Sequence, residues 1–199
     1  MLISAFQKST LLDYPGKLAC LVFTYGCNLR CEYCHNPELV IQPFRKNMAV
    51  SEEEIFSFLK KRKRLLQDKG VRCIQELLDI LDLDIVDYWA MDVKYEKEIY
   101  IQNLKDKIGY DEIERSIALI KGKARDYEFR TTYVKGIHTI DSVKGIGQLI
   151  SGSKRYYIQN FRPGKTINPT LNSTNSFSQE ELEKFKRIMK KYVESVEIR

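Results

Sequence analysis

The sequence predicts an α/β protein with a parallel β-sheet, in a single domain that spans residues 1–199. Helical and strand-like segments alternate along the chain, two capping boxes mark helix starts, and an apolar strand leads directly into a group of cysteines. A composition of 43% hydrophobic and 30% charged residues fits one globular core and excludes a disordered or fibrous protein. We therefore expect the functional residues at the carboxyl ends of the strands, as in other parallel α/β folds.

The first half of the chain alternates between the two kinds of element. Its apolar runs and spacings predict a strand at 18–24, a helix at 51–67, a helix at 74–81 and a strand at 85–93. Ser51 and Glu54 form the capping box that starts the first helix. The last strand is apolar almost throughout, which indicates burial on both faces.

The second half continues the alternation. Its patterns predict a helix around Ile113, Ile117 and Ile120, a strand at 127–134, a helix at 143–150, a strand at 156–161 and a helix that begins after Ser178. Ser178 and Glu181 form the second capping box. The stretch 162–177, rich in Pro, Gly, Asn, Ser and Thr, is typical of a mobile linker.

Composition also limits the setting in which the protein works. The N-terminus lacks the pattern of a secretory signal, and no apolar run approaches the ~20 residues of a membrane span, so we expect a cytoplasmic protein without a membrane partner. Five cysteines, three of them clustered, favour a metal site in a reducing compartment over a disulfide framework. Of the other two, Cys20 fits a buried core position, and Cys73 receives no role.

The charge distribution has one local feature, a basic run at 60–64 within the first predicted helix. Leucines interleave with it, which favours a solvated helix face. The alternative is a docking patch for an acidic electron carrier or partner enzyme. Nucleic acid is not expected, because the run lacks the aromatic residues or recognisable fold that usually accompany such binding.

The chemistry is concentrated in a loop at 24–38, where Cys27, Cys31 and Cys34 form a CxxxCxxC motif. Three thiolates this close can hold three irons of a 4Fe-4S cluster and leave the fourth iron open to a substrate or cofactor. His35 raises the alternative of a closed zinc site with four ligands. Zinc is disfavoured because the adjacent Cys34 and His35 would strain to bind one ion, and zinc modules usually have two separated ligand pairs.

The cysteine motif and its surroundings resemble the radical S-adenosylmethionine superfamily, and within it the glycyl-radical-enzyme activating proteins, most closely those that serve anaerobic ribonucleoside-triphosphate reductase. The likeness spans most of the chain in the family's order. It is carried by LLDYPGK at 11–17, FTYGC at 23–27, CHNPEL at 34–39, VDYWAMDVK at 86–94, FRTT at 129–132 and YIQNF at 157–161.

The family's pattern has a part that this sequence lacks. In the family, the first helix is followed by a strand ending in Gly-Gly-Glu-Pro and by another ending in Asp-Thr-Asn-Gly, and both segments belong to the cofactor site. Here the chain passes near 70–74 straight to a pattern resembling the helix that normally follows both. The missing piece has the size of a βαβ unit, roughly 30 residues or more. The resemblance thus implies an incomplete (β/α)6 radical-SAM partial TIM barrel without an internal segment.

The resemblance also implies a reaction. Cys27, Cys31 and Cys34 would ligate a 4Fe-4S cluster whose open iron chelates S-adenosylmethionine. A flavodoxin or ferredoxin would reduce the cluster, and the reduced cluster would give one electron to the cofactor's sulfonium, which splits it into methionine and a 5'-deoxyadenosyl radical. That radical would remove a hydrogen atom from a glycine of the partner glycyl-radical enzyme, an anaerobic ribonucleoside-triphosphate reductase.

Three further residues match cofactor-binding positions of the family. Tyr33 resembles an aromatic residue beside the adenine, or else it is a loop aromatic that covers the cluster. Lys94 resembles a lysine that contacts the cofactor, with a solvated lysine as the alternative. Arg130 resembles an arginine that faces the cofactor, with a surface arginine as the alternative.

Asp92 and Gln159 are related candidates: Asp92 could orient the strand end or bind a cation, and Gln159 could face the cofactor. His138 is expected to be structural. A second function stays open, that of a non-catalytic iron-sulfur or metal-binding relative unable to cleave S-adenosylmethionine. The missing segment favours this alternative, whereas Lys94 and Arg130 favour the enzyme.

Overall fold

The computed structural model of the chain describes residues 3–10, 19–24, 27, 29–40, 50–61, 88–103 and 109–199. Contacts divide the chain into two compact units, one of residues 1–27, 38–89 and 123–126 and one of residues 28–37, 90–122 and 127–199. The predicted helix at 74–81, the basic residues 62–64, Cys73 and the position of the missing segment lie outside the described residues. The single domain stays a prediction.

The first unit contains an antiparallel strand pair and a helix. Strand β1, Ile3–Thr10, pairs with β2, Ala19–Thr24, and helix α1 covers Glu52–Lys61. The Ser51 hydroxyl accepts a hydrogen bond from the Glu54 amide at 3.1 Å, which confirms the capping interaction that starts α1. The rings of Phe6 and Phe58 meet edge to face at 5.0 Å and pack α1 against β1.

The second unit is built on a four-stranded sheet in the order β3-β4-β5-β6. Its strands are β3 (Trp89–Asp92), β4 (Tyr127–Tyr133), β5 (Ser153–Asn160) and β6 (Val193–Ile198), and its helices are α2 (Lys97–Asn103), α3 (Tyr110–Lys123), α4 (Ile140–Leu149) and α5 (Gln179–Met189). The pairs β4–β5 and β5–β6 are parallel, and helices lie between successive strands along the chain, which confirms the α/β class. A (β/α)6 barrel stays a prediction.

Local sequence signals explain where these helices begin. Ser178 and Glu181 form the predicted capping box of α5: the Glu181 amide donates to the Ser178 hydroxyl at 3.2 Å, and the Ser178 amide donates to the Glu181 carboxylate at 2.8 Å. In α3, Ile117 and Ile120 are buried, as the apolar spacing predicts. Within the described ranges, no helix is both long and apolar enough to cross a membrane.

The stretch 162–177, which the sequence predicts as a mobile linker, has a defined hydrogen-bonded path. The Asn160 side chain bonds both the amide and the carbonyl of Phe177, at 3.0 and 2.8 Å. Between them, the carboxamide oxygens of Asn168 and Asn172 accept bonds from the amides of Thr170 and Thr174. These local side-chain bonds stabilise turns in the polar sequence.

The two faces of the sheet carry different residues. On one face, Phe129, Tyr133 and Tyr156 are fully buried, and the Tyr133 ring contacts Phe185 of α5 at 5.1 Å. Glu128 and Arg130 are alternate residues of β4, and their side chains lie on the opposite face. The same polar face includes the strand-end groups described below.

Candidate functional site

The cysteine loop follows β2 and contains a tight turn. Cys31 is buried, Cys27 and Cys34 are half-buried, and none of the three is in a disulfide. The Cys34 amide donates to the Cys31 carbonyl at 3.0 Å, so the last two cysteines lie at the two ends of one turn. Cys31 and Cys34 belong to the second unit, whereas Cys27 belongs to the first.

The loop after β5 holds this turn in place. The amide and side-chain nitrogens of Asn168 donate to the backbone carbonyl and carboxylate of Glu32, at 2.8 and 2.6 Å. The His35 ring stacks on Phe161 at 5.8 Å, and its Nδ1 donates to the Lys165 carbonyl at 3.2 Å. The structure thus gives His35 packing and backbone contacts, and the zinc alternative gains no support from its neighbours.

Lys94 and Arg130, which were predicted separately, meet at Asp92. Lys94 Nζ lies 2.8 Å from one Asp92 oxygen, and Arg130 Nε lies 3.1 Å from the other. Burial is the largest single influence on Lys94 and disfavours its charged form, but the charge and hydrogen bond of Asp92 and the charge of Cys31 together outweigh it, so the pKa of Lys94 is raised and the amine stays protonated. This end of β3 therefore presents two cations held by one carboxylate.

A second carboxylate lies behind Arg130 on the same face. Glu128 is only 3% exposed, and its Oε1 is 3.7 Å from Arg130 Nε. Arg199 binds both oxygens of Glu128, at 3.1 and 3.3 Å, and its guanidinium stacks 3.3 Å from the centre of the Tyr157 ring. The result is a continuous ion network from Lys94 to Arg199 across the sheet.

Sequence reasoning missed Glu128 and Arg199. Glu128 lies two residues before Arg130 in a predicted strand, so their shared face was a readable signal. No signal in the sequence indicated Arg199, because it is 71 positions from Glu128 and strand β6 was not predicted. Gln159, a related candidate, accepts a bond from Thr132 at 3.3 Å on the polar face.

Aromatic side chains fix the main chain of Lys94. Its amide donates to the Tyr100 hydroxyl at 2.6 Å, and its carbonyl accepts bonds from the Tyr33 hydroxyl at 3.4 Å and from His138 Nε2 at 2.9 Å. His138 Nδ1 accepts from the Val134 amide at 3.0 Å, so the ring is neutral with its proton on Nε2. Both ring nitrogens of His138 thus bond the backbone, which is a structural role.

Tyr33 connects the cysteine turn to this strand end. It is 3% exposed, and its ring packs 6.0 Å from Tyr95 and 5.7 Å from His138. Burial is the main cause that raises the pKa of Tyr95, and the charge and hydrogen bond of Cys31 add to it. Cys31 therefore lies beside the phenols that pack around Lys94.

The donor set fits an iron-sulfur cluster in its chemistry, since three thiols in one loop are not committed to disulfides. In the part of the chain that the structure describes, no group of three or more His, Cys, Asp or Glu side chains is close enough to hold a metal ion. A metal commonly assembles its ligands as it binds. The ligand roles of Cys27, Cys31 and Cys34 stay predictions.

One curated protein of Methanocaldococcus jannaschii, named "Putative glycyl-radical enzyme activating enzyme MJ1227", is similar to this chain. The two are 26% identical over 235 residues, which cover 100% of this chain and 95% of that protein. This chain has 199 residues against 235 aligned positions, so at least 36 of those positions have no residue here. No protein-family model matches the chain.

Proposed function

We propose that this chain is a radical S-adenosylmethionine activating enzyme that generates a glycyl radical on a partner enzyme, an anaerobic ribonucleoside-triphosphate reductase. The similarity over its full length to a protein named as a glycyl-radical enzyme activating enzyme supports the general class. The reductase as partner and a flavodoxin or ferredoxin as electron donor rest on the sequence resemblance alone.

The observation that carries the proposal is the position of Lys94 and Arg130. Both converge on Asp92, and the Tyr33 hydroxyl joins the same strand end to the turn that contains Cys31 and Cys34. A cation site for a carboxylate is thereby linked to the loop proposed to hold the cluster. S-adenosylmethionine needs both features, because its amino acid end binds the cluster and carries a carboxylate.

Each residue has a defined part in this proposal. Cys27, Cys31 and Cys34 would hold a 4Fe-4S cluster, which supplies the electron that splits S-adenosylmethionine into methionine and the 5'-deoxyadenosyl radical that takes a hydrogen atom from glycine. Lys94 and Arg130 would bind the carboxylate of S-adenosylmethionine, and Asp92 keeps both cations oriented. Tyr33 would hold the cysteine turn against Lys94, and its ring would lie on the adenine side.

The test is cofactor cleavage under anaerobic conditions. The protein is reconstituted with iron and sulfide, reduced with dithionite and given S-adenosylmethionine, and 5'-deoxyadenosine is measured by chromatography. We expect product from the wild type and from Cys20→Ala, which removes a buried thiol outside the motif, and none from Cys31→Ala. A cluster that forms without product would overturn the enzyme proposal.

The second candidate function is a non-catalytic iron-sulfur protein. It is favoured by the 36 or more aligned positions without a residue here, which match the size of the segment that the sequence pattern lacks. In the family, that segment contributes to the cofactor site. A reconstituted protein that shows cluster absorbance but neither binds nor cleaves S-adenosylmethionine would support this alternative.

A further inference from the structure

The guanidinium of Arg130 is only partly used by its neighbours. Its Nε faces Asp92 at 3.1 Å and Glu128 at 3.7 Å, while among the described residues Nη1 and Nη2 have no hydrogen-bond partner. The side chain is 24% exposed, so these two nitrogens can reach a ligand. Two parallel N–H groups match the two oxygens of a carboxylate.

Glu128 is a potential competitor for the same two nitrogens. It is a buried carboxylate on the same strand face as Arg130, two residues away, and a buried carboxylate needs a paired cation. Without another partner, Glu128 would draw the Arg130 guanidinium into a bidentate pair. Arg130 would then have no nitrogens left for a ligand, and Glu128 would repel an anion.

Arg199 removes this competition. It binds both Glu128 oxygens, and its stacking on Tyr157 fixes the plane of the guanidinium. The network thus includes three cationic side chains (Lys94, Arg130 and Arg199) beside two carboxylates, those of Asp92 and Glu128.

We propose that Arg199 and Glu128 are a positioning pair: Arg199 saturates Glu128, and this keeps Nη1 and Nη2 of Arg130 available to bind a carboxylate. The inference rests on the proposed function where it identifies this carboxylate as that of S-adenosylmethionine. Neither residue touches the ligand. Their effect is to set the orientation of Arg130 and the charge of the site.

The first experiment measures Arg130 directly and needs no cofactor. Phenylglyoxal reacts with the terminal nitrogens of arginine, and peptide mass spectrometry gives the labelling rate at each position. We expect Arg130 to be labelled in the wild type, at least fivefold more slowly in Arg199→Met, and within twofold of the wild-type rate in the double variant Arg199→Met with Glu128→Gln. The exposed Arg187 of α5 is the internal reference and should keep its rate in all three.

Rescue by the second substitution distinguishes positioning from structural support. If Arg199 merely stabilised the fold, the additional Glu128→Gln substitution would not restore the labelling rate of Arg130. Arg199→Lys is the conservative variant: it keeps the charge but loses the bidentate geometry, so we expect an intermediate rate. Two results would overturn the inference. One is an unchanged labelling rate of Arg130 in Arg199→Met, and the other is a double variant in which Arg130 is still labelled slowly while Arg187 is labelled at its wild-type rate.

The second experiment measures ligand binding by the reconstituted protein in equilibrium dialysis. S-adenosylmethionine should bind more tightly than decarboxylated S-adenosylmethionine. Arg199→Met should weaken the binding of S-adenosylmethionine at least tenfold and change the binding of the decarboxylated compound little. The double variant should regain most of the affinity. A wild type that binds neither compound overturns the proposed function, and the labelling pattern still decides the role of Arg199 and Glu128.

Discussion

The two faces of the four-stranded sheet come from alternate residues of the same strands, yet they differ in chemistry. One face buries Phe129, Tyr133 and Tyr156 completely. The other holds the ion network, in which Arg130 and the 40%-exposed Asp92 remain accessible. Since the side-chain period of a strand is two, neighbouring positions in β4 can serve opposite purposes.

Because the two faces differ in this way, substitutions on them should affect stability and ligand binding separately. The apolar face contributes through area removed from water, so each truncation there should cost folding free energy. The ion network is partly exposed and its charges are paired, so changes that preserve pairing should alter ligand binding more than stability. Glu128 is the point where the two meet, because it is a charged side chain that is almost fully buried.

The largest effect on stability should come from the apolar face. Phe129→Ala removes a ring that is 0% exposed, and we expect a loss of about 3–5 kcal/mol in the free energy of unfolding. Urea denaturation followed by circular dichroism measures it. Thr132→Ala, on the opposite face of the same strand, is the matched control and should cost less than about 1 kcal/mol. Equal losses would break the distinction between the faces.

Arg130→Lys tests the opposite face. It keeps the charge but loses the two parallel N–H groups, so S-adenosylmethionine should bind about 10- to 100-fold more weakly, or about 1.4–2.7 kcal/mol. The free energy of unfolding should change by less than about 1 kcal/mol. Equilibrium dialysis and urea denaturation check the two parts, with Arg187→Lys on α5 as the control. A variant that unfolds easily yet binds normally would contradict the assignment of this face to ligand binding.

His138, beside Tyr133 on the buried side, gives the sheet a pH dependence. Burial is the main cause that lowers the pKa of His138 below its ordinary value of 6.5, so the unfolded chain takes up this proton first as the pH falls. Its contribution to stability is therefore complete above pH 6.5 and declines below it, by at most about 1.4 kcal/mol per pH unit.

The measurement is urea denaturation at pH 7.5, 6 and 5. The difference in unfolding free energy between the wild type and His138→Gln should shrink as the pH falls below 6.5. His35→Gln retains His138 and should keep the wild-type slope. A difference independent of pH would show that the His138 ring does not stay neutral in the folded protein.

Local signals predicted much of the second unit. The capping box at Ser178 and the isoleucine spacing of α3 depend on residues three or four positions apart, and both are present as expected. Strands β1 and β6 were not predicted. Each mixes polar and apolar residues, and its pairing with a distant strand stabilises it more than its own composition does.

The candidate site also combines features that the sequence predicted with contacts that it did not. Lys94 and Arg130 were predicted because their segments resemble a family, but their shared contact with Asp92 depends on how β3 lies beside β4. Tyr33 was predicted near the adenine, whereas its bond to the Lys94 carbonyl joins residues 61 positions apart. Sequence patterns thus identified residue types at strand ends, and only the strand register shows which of them meet.

Two adjacent threonines of β4 compare the two faces through one hydroxyl group each, and the smallest effect of all is expected for Thr132. Thr131 is fully buried, and its hydroxyl donates to the Val93 carbonyl at 2.7 Å; Thr132 is half-buried and donates to Gln159 at 3.3 Å. Replacement by valine removes the hydroxyl with little change of volume. Thr131→Val should cost about 1–3 kcal/mol because a buried carbonyl loses a partner, and Thr132→Val should cost less than about 0.5 kcal/mol. Urea denaturation of both variants measures the difference, and a larger loss for Thr132 would mean that the polar face also supports the fold.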